Sequence, residues 1–146
     1  MNKIITWSII SHKQGKLIDN LLSSFQNLDC TNFQFIITIN IPEDLSFLNK
    51  YSNFSINLIE NNCVKGFGEN HNYAFSLSNT KLFAVLNPDT QVASLDIIHI
   101  REIFKKNSNI GALTVKCFNK NGIEQDHVRK FPNLLVNLLR FLNLYT

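Results

Sequence analysis

Apolar and polar residues along this chain fall into runs whose period switches between that of a strand and that of a helix. Ile4–Ile10 is a short β-branched run closed by the polar Ser11-His12-Lys13-Gln14-Gly15, the pattern of a buried strand opening into a loop. Leu17, Ile18, Leu21, Leu22 and Phe25 then recur at helical spacing. Phe33–Asn40 is a second strand-like run, stopped by Pro42, and Ile56–Glu60 is a third. A helix is expected to open near Glu69 or Asn70 and to run through Ala74, Phe75 and Leu77. Leu82–Leu86 reads as a fourth strand, which Pro88 must end because it has no N–H for a ladder. Leu95, Ile98, Ile103 and Phe104 share one face of a further helix, with Lys105 and Lys106 suited to its C-terminal end. Ile110–Val115 reads as a fifth strand, and Asn121-Gly122 as a tight turn.

Strands alternating with helices predict an α/β fold: an open, mostly parallel sheet with flanking helices. Ligands of such sheets bind beyond the carboxyl ends of the strands. Three polar segments fall at those ends, namely Ser11–Gln14, Asn61–Asn72 and Asn87–Thr90. With 146 residues, 45% of them hydrophobic, the chain suits one compact core. Its net charge of +3 is spread along the chain, without the basic face and interleaved aromatics of a nucleic-acid groove, so no nucleic-acid partner is expected. Cys30, Cys63 and Cys117 are odd in number and show no Cys-x-x-Cys spacing, which fits reduced thiols in a reducing compartment. The apolar run at 4–10 is too short to span a bilayer, and only Lys3 supplies a charge before it. The expected location is cytoplasmic.

Candidate chemistry concentrates in the run from Asn61 to Phe75, followed by Leu86-Asn87-Pro88-Asp89. Gly66 and Gly68 flank Phe67 just before the helix; glycine tolerates positive φ and lets a backbone approach a ligand closely. A helix start after such a loop offers N–H groups to an anion. Asp89, just past a buried strand, supplies a carboxylate of the kind that holds a hard cation bridging phosphate oxygens. Asn-Pro-Asp-Thr also makes an ordinary turn, so the loop and the acid gain meaning only together.

Four segments carry a family resemblance: Ile9-Ile10-Ser11-His12-Lys13-Gln14, Gly66-Phe67-Gly68-Glu69-Asn70-His71-Asn72-Tyr73-Ala74-Phe75, Leu86-Asn87-Pro88-Asp89 and Arg129-Lys130-Phe131-Pro132. In this order the chain resembles the N-terminal, donor-binding half of family 2 glycosyltransferases with the GT-A fold. Within them it is most similar to the bacterial rhamnosyltransferase-like subgroup of surface-polysaccharide synthesis. The resemblance implies a nucleotide-sugar donor, a glycan or lipid-linked acceptor, a divalent metal (Mg²⁺ or Mn²⁺), and direct displacement with inversion. It implies that Ser11, His12 and Gln14 line the nucleotide pocket, and that Asn62, Gly66, Gly68 and Asn72 shape the wall around ribose and diphosphate. Asn87 and Asp89 stand where the family keeps its Asp-x-Asp motif, so Asp89 would hold the metal. Asn40 takes the place where many relatives carry an Asp near the nucleobase.

The resemblance also implies a chain truncated relative to the family: a donor-binding domain over 1–133 and an apolar C-terminal helix over 134–146. The catalytic base belongs to an acceptor half that relatives carry beyond this point. Glu124 and Asp126 lie too early for it, near a turn. The apolar run over 134–145 suits a helix that packs on the acceptor half or on a partner, or alternatively one that rests on the inner-membrane surface. His12 and His71 meet at one cleft in this reading, whereas His99 and His127 lack partners at metal-ligand spacing. Two rivals remain: a non-catalytic subunit that binds nucleotide-sugar without turnover, and a nucleotidyltransferase-like enzyme. The latter wants a basic glycine-rich loop after the first strand, and Ser11–Gly15 offers one lysine and one glycine.

Overall fold

The computed structural model describes residues 3–125. The chain divides into two compact units, Met1–Ile103 and Phe104–Thr146. In the first, strands β1 (Ile5–His12), β2 (Phe33–Ile41), β3 (Ile56–Glu60) and β4 (Leu82–Val85) form one sheet in the order β3-β2-β1-β4. All neighbours pair in parallel. Helices α1 (Gly15–Phe25), α2 (Phe67–Ser76) and α3 (Ile97–Lys106) alternate with the strands, and a 3-10 helix covers Ser46–Tyr51. The open parallel α/β sheet expected from the sequence is the observed one.

Alternation along β1 and β2 gives the sheet two different faces. Ile5, Trp7 and Ile9 of β1 and Phe33, Phe35, Ile37 and Ile39 of β2 pack with Ile18, Leu21, Leu22 and Phe25 of α1 in the main core. Phe25 sits at its centre, with edge-on ring contacts to Trp7, Phe33 and Phe35. The alternate positions are also buried but mixed, Thr6, Ser8, Thr38 and Asn40 polar and Ile10 and Ile36 apolar, and this face meets α2. The polar residues that interrupt the first apolar run are therefore a second, hydrogen-bonded face of the strand.

Two features position the site. β1 is flanked by β2 on one side and β4 on the other, the reversal of strand order at whose carboxyl end open α/β sheets bind ligands. The β1–β2 register also slips between Ser11 and His12, which face Ile39 and Ile41, leaving Asn40 as the extra residue. Such irregularities re-aim side chains at strand ends.

Some boundaries differ from expectation. α2 opens at Phe67 rather than near Glu69, with Gly66 as its N-cap. β1 continues to His12 because its pairing with β2 survives the register slip. No strand forms over Ile110–Val115: residues 111–115 are exposed, and among the described residues no neighbour pairs with them. A strand cannot persist on apolar pattern alone when its N–H and C=O groups have no ladder. In the second unit the described order is local. Phe118 and Glu124 form an antiparallel bridge around a turn in which Gly122 adopts φ +74° and Asn119 Oδ1 accepts the N–H groups of Asn121 and Ile123. Arg129-Lys130-Phe131-Pro132 and the 134–146 segment lie outside the described residues. Within the described residues no helix is long and apolar enough to cross a membrane.

Candidate functional site

The crevice at the carboxyl ends of β1, β2 and β4 is a cleft of about 450 Å³, in the range that holds a small-molecule ligand. At the end of β1 it is lined by His12 and Gln14, at the end of β2 by Asn40, and after β4 by Asn87 and Asp89. The β3–α2 loop and the first turns of α2 add Lys65, Phe67, Asn70 and His71. His12 and His71 thus share one cleft, as expected. Ser11, Asn62, Gly66, Gly68 and Asn72 are outside its lining.

The β1–α1 loop is held by an acid that sequence spacing does not reveal. Glu43 accepts hydrogen bonds from the Ser11 hydroxyl, from Lys13 N at 3.0 Å and from Gly15 N at 2.9 Å. Ser11, fully buried, in turn accepts from Gln14 N at 3.2 Å. Lys13 is held at φ +60°, a conformation that costs a non-glycine residue energy and needs such anchoring. The amides that could cradle an exogenous anion after the first strand are therefore filled by the protein's own carboxylate. That occupancy argues against a phosphate-gripping first loop of the nucleotidyltransferase kind.

The β3–α2 loop is clamped by three asparagines. Asn40 Oδ1 accepts from Lys65 N at 2.8 Å and from Asn61 Nδ2 at 2.9 Å. Asn40 Nδ2 donates to Lys65 O at 3.0 Å and to His12 Nδ1 at 3.2 Å. Asn61 Nδ2 also reaches Asn70 Oδ1 at 2.6 Å, and Asn70 Nδ2 bonds Lys65 O and Gly66 O at 3.2 and 3.1 Å. The two backbone partners on Lys65 fix the orientation of the Asn40 amide. All four of its hydrogen-bonding positions are then taken. Asn40 therefore organises the cleft wall and has no position left over for a ligand. Its N–H on His12 Nδ1 makes that ring nitrogen an acceptor.

Asn61, Asn70, Lys65 and Glu43 are the positions that reading the sequence misses. For Asn70 a signal exists. Ala74 is the buried alanine of α2, and counting back three and four residues gives His71 and Asn70, both buried; Asn72, two back, is exposed. Gly66 has φ −69°, and a Cβ on Gly66 or Gly68 would meet nothing within 4 Å. Neither glycine is required by the chain's own packing.

The cleft's charged groups are Lys65 and Asp89. Lys65 Nζ stands 3.7 Å from Glu69 and 5.3 Å from the Tyr73 ring centroid. Asn87 and Asp89 are exposed in a turn closed by Thr90, whose hydroxyl donates to Asn87 O at 2.7 Å. No group of three or more His, Cys, Asp or Glu side chains suited to a metal exists among the described residues. One carboxylate and one amide fit only a cation that brings further oxygen ligands, such as phosphates and water.

No protein-family model matches the sequence, and no curated protein matches it. Solved structures do match the fold. Staphylococcus aureus TarS 1-349 in complex with UDP-GlcNAc superposes with a TM-score of 0.62 at 16% identity, over 70% of this chain and 31% of that one. The mannosyltransferase PcManGT from Pyrobaculum calidifontis, in complex with GDP-Man and Mn²⁺, gives a TM-score of 0.55 at 13% identity, over 64% and 30%. The chain thus spans about a third of the length of these two structures, and at these identities the likeness establishes the shared fold alone.

Proposed function

We propose that this chain is the donor-binding part of a glycosyltransferase that takes a sugar from a nucleoside-diphosphate sugar and passes it, with inversion, to a glycan or lipid-linked acceptor. The observation that carries this reading is the cleft itself. A strand-end carboxylate, Asp89, shares one crevice at the sheet's switch point with Lys65, His12 and the opening turns of α2. Fold neighbours bound to UDP-GlcNAc and to GDP-Man with Mn²⁺ support the choice of ligand class.

In this reading Asp89, with the amide oxygen of Asn87, would hold a divalent cation together with the donor's phosphates. When bound, that cation would stabilise the negative charge left on the departing nucleoside diphosphate. Lys65 adds a positive charge to the same wall, and the Asn40–Asn61–Asn70 clamp keeps its backbone in place. The Glu43 anchor does the same for His12 and Gln14. The base that activates the acceptor, the acceptor itself, the rhamnosyltransferase-like subgroup and a cytoplasmic setting at the inner membrane are further parts of the proposal.

Calorimetric titration with UDP, dTDP and GDP, each with and without Mn²⁺, tests it, with Asp89→Ala as the control. Metal-dependent binding of one nucleotide, lost in the variant, is the expected result. Binding that ignores both the metal and Asp89→Ala would remove the metal from the reading, and no binding of any nucleotide by the folded chain would remove the donor site.

A further inference from the structure

His71 is 5% exposed, yet it lines the cleft. Its Nδ1 lies 2.8 Å from the hydroxyl of Ser8, which is fully buried on β1. Its Nε2 is buried and has no hydrogen-bond partner among the described residues. A buried polar nitrogen without a partner is costly, and natural proteins keep few of them. Burial alone pushes the His71 pKa down, which favours the neutral ring. A neutral ring carries one proton, and the Ser8 contact selects its place. Among the described residues the Ser8 hydroxyl has no second partner, so the arrangement that leaves the fewest polar groups unpaired has Ser8 donating to Nδ1 and the ring's own proton on Nε2. The edge-on ring of Phe67 lies over the imidazole, with centroids 4.4 Å apart. Phe67 is 61% exposed and has room to turn aside.

We infer that His71 is a ligand-positioning residue whose Nε2–H donates to an oxygen of the bound diphosphate once Phe67 rotates off the ring. The inference rests on the donor-site reading above and adds to it a specific donor and a specific cover. The preference for a phosphate oxygen comes from the surroundings: His71 is on the second turn of α2, whose N-terminal amides have no side-chain cap. An N–H from a neutral ring then adds to these amides without placing a second full charge beside Lys65.

Two substitutions separate the contact from the packing. His71→Asn keeps an amide near Ser8 and removes the Nε2 donor; His71→Gln places an amide N–H near the Nε2 position. Binding of UDP and GDP is measured by calorimetry for the full chain and both variants, alongside thermal unfolding. The expected result is a loss of at least about tenfold in nucleotide affinity for His71→Asn, with most of it restored in His71→Gln. In ¹⁵N-resolved spectra of the wild-type imidazole, the Nε2 signal is expected to move on saturation with the nucleotide that binds. If wild type binds nucleotide while His71→Asn binds equally well, or the ring signals stay still at saturation, the inference fails and the donor-site reading stands. If wild type binds no nucleotide, both fail.

Discussion

Replacing Asn40 with aspartate tests whether the amide is an internal clamp or a free reader of the ligand. The change is isosteric, so it opens no cavity, and it installs the residue type that the family resemblance places near the nucleobase. Oδ1 keeps Lys65 N and Asn61 Nδ2. The other oxygen now stands where Nδ2 donated to Lys65 O at 3.0 Å and to His12 Nδ1 at 3.2 Å. His12 recovers its contact by moving its proton to Nδ1. Lys65 O cannot, and it faces a carboxylate at a position 5% exposed. The lost hydrogen bond costs about 1 kcal/mol, and two opposed, poorly solvated acceptors add roughly 1–3 kcal/mol. Asn40→Asp should therefore lose about 3 kcal/mol, or roughly 1.5–2 M in urea midpoint at a typical slope for a domain of this size. The pH dependence has a definite sign. Desolvation and the facing carbonyl raise the new carboxyl's folded pKa above its unfolded value of about 3.9. The penalty is fully present above the folded pKa and shrinks as pH falls through it, because the protonated acid donates to Lys65 O. Urea melts of both proteins at neutral pH and near pH 4.5 provide the comparison. A midpoint within about 0.3 M of wild type at neutral pH, or a gap that does not narrow in acid, would refute the clamp.

Two further changes probe the scaffold. Tyr51 donates to Asp19 Oδ1 at 2.6 Å, and that bond, ahead of Lys50 and against burial, holds the Asp19 carboxyl below its ordinary 3.8. Tyr51→Phe should cost about 1–2 kcal/mol near neutral pH, the stabilisation being present above the ordinary carboxylate range and lost as pH falls through the depressed value; equal gaps to wild type at pH 7 and pH 2.5 in chemical melts would contradict it. Thr38 is fully buried on β2, and its hydroxyl has no partner among the described residues. Thr38→Val should leave the fold intact and raise stability by about 0.5–1 kcal/mol, and a drop in thermal midpoint would show that the hydroxyl is satisfied after all.

Some of this architecture is legible in the residue pattern, and the exceptions have identifiable causes. Apolar runs bounded by turn residues mark all four strands of the sheet, because each run is short and cut off by polar or proline residues. The 3-10 helix at Ser46–Tyr51 has no such signature. Tyr51 is buried there by stacking on Phe54, three residues on, and by hydrogen-bonding the distant Ser23 and Asp19. Ile110–Val115 fails in the opposite sense: its composition suits a strand, but composition cannot supply the neighbour that a strand needs. Within the site, topology alone places three polar loops at one end of the sheet. The partners that shape those loops are long-range. Glu43 lies thirty residues from Lys13, and Asn40 twenty-five from Lys65, separations at which a single sequence offers no pairing signal.

The more useful clue lies in the polar residues inside apparently apolar strands. Thr6, Ser8 and His12 on β1 alternate with Ile5, Trp7 and Ile9, and Thr38 and Asn40 on β2 follow the same period. A fully buried strand has no solvent face on which to place polar groups, so each one must find a partner or carry a cost. Thr6 finds Gln34 and Thr80, Asn40 finds Lys65, Asn61 and His12, and Ser8 finds His71. Strands and loops supply most of these partners, and the helix that covers the face, α2, with Asn70, His71 and Ala74 as its buried residues, supplies the one for Ser8. Ser8 and His71 join this face of the sheet to the helix, and the cleft lies at their shared end. Of the polar groups along that seam, Thr38 Oγ1 and His71 Nε2 are left without partners among the described residues. Of these two residues, only His71 lines the cleft, so a bound ligand can satisfy its nitrogen while nothing in reach satisfies Thr38. The same physical cost therefore argues for opposite outcomes: a gain on removing the Thr38 hydroxyl, and a loss of binding on removing the His71 nitrogen.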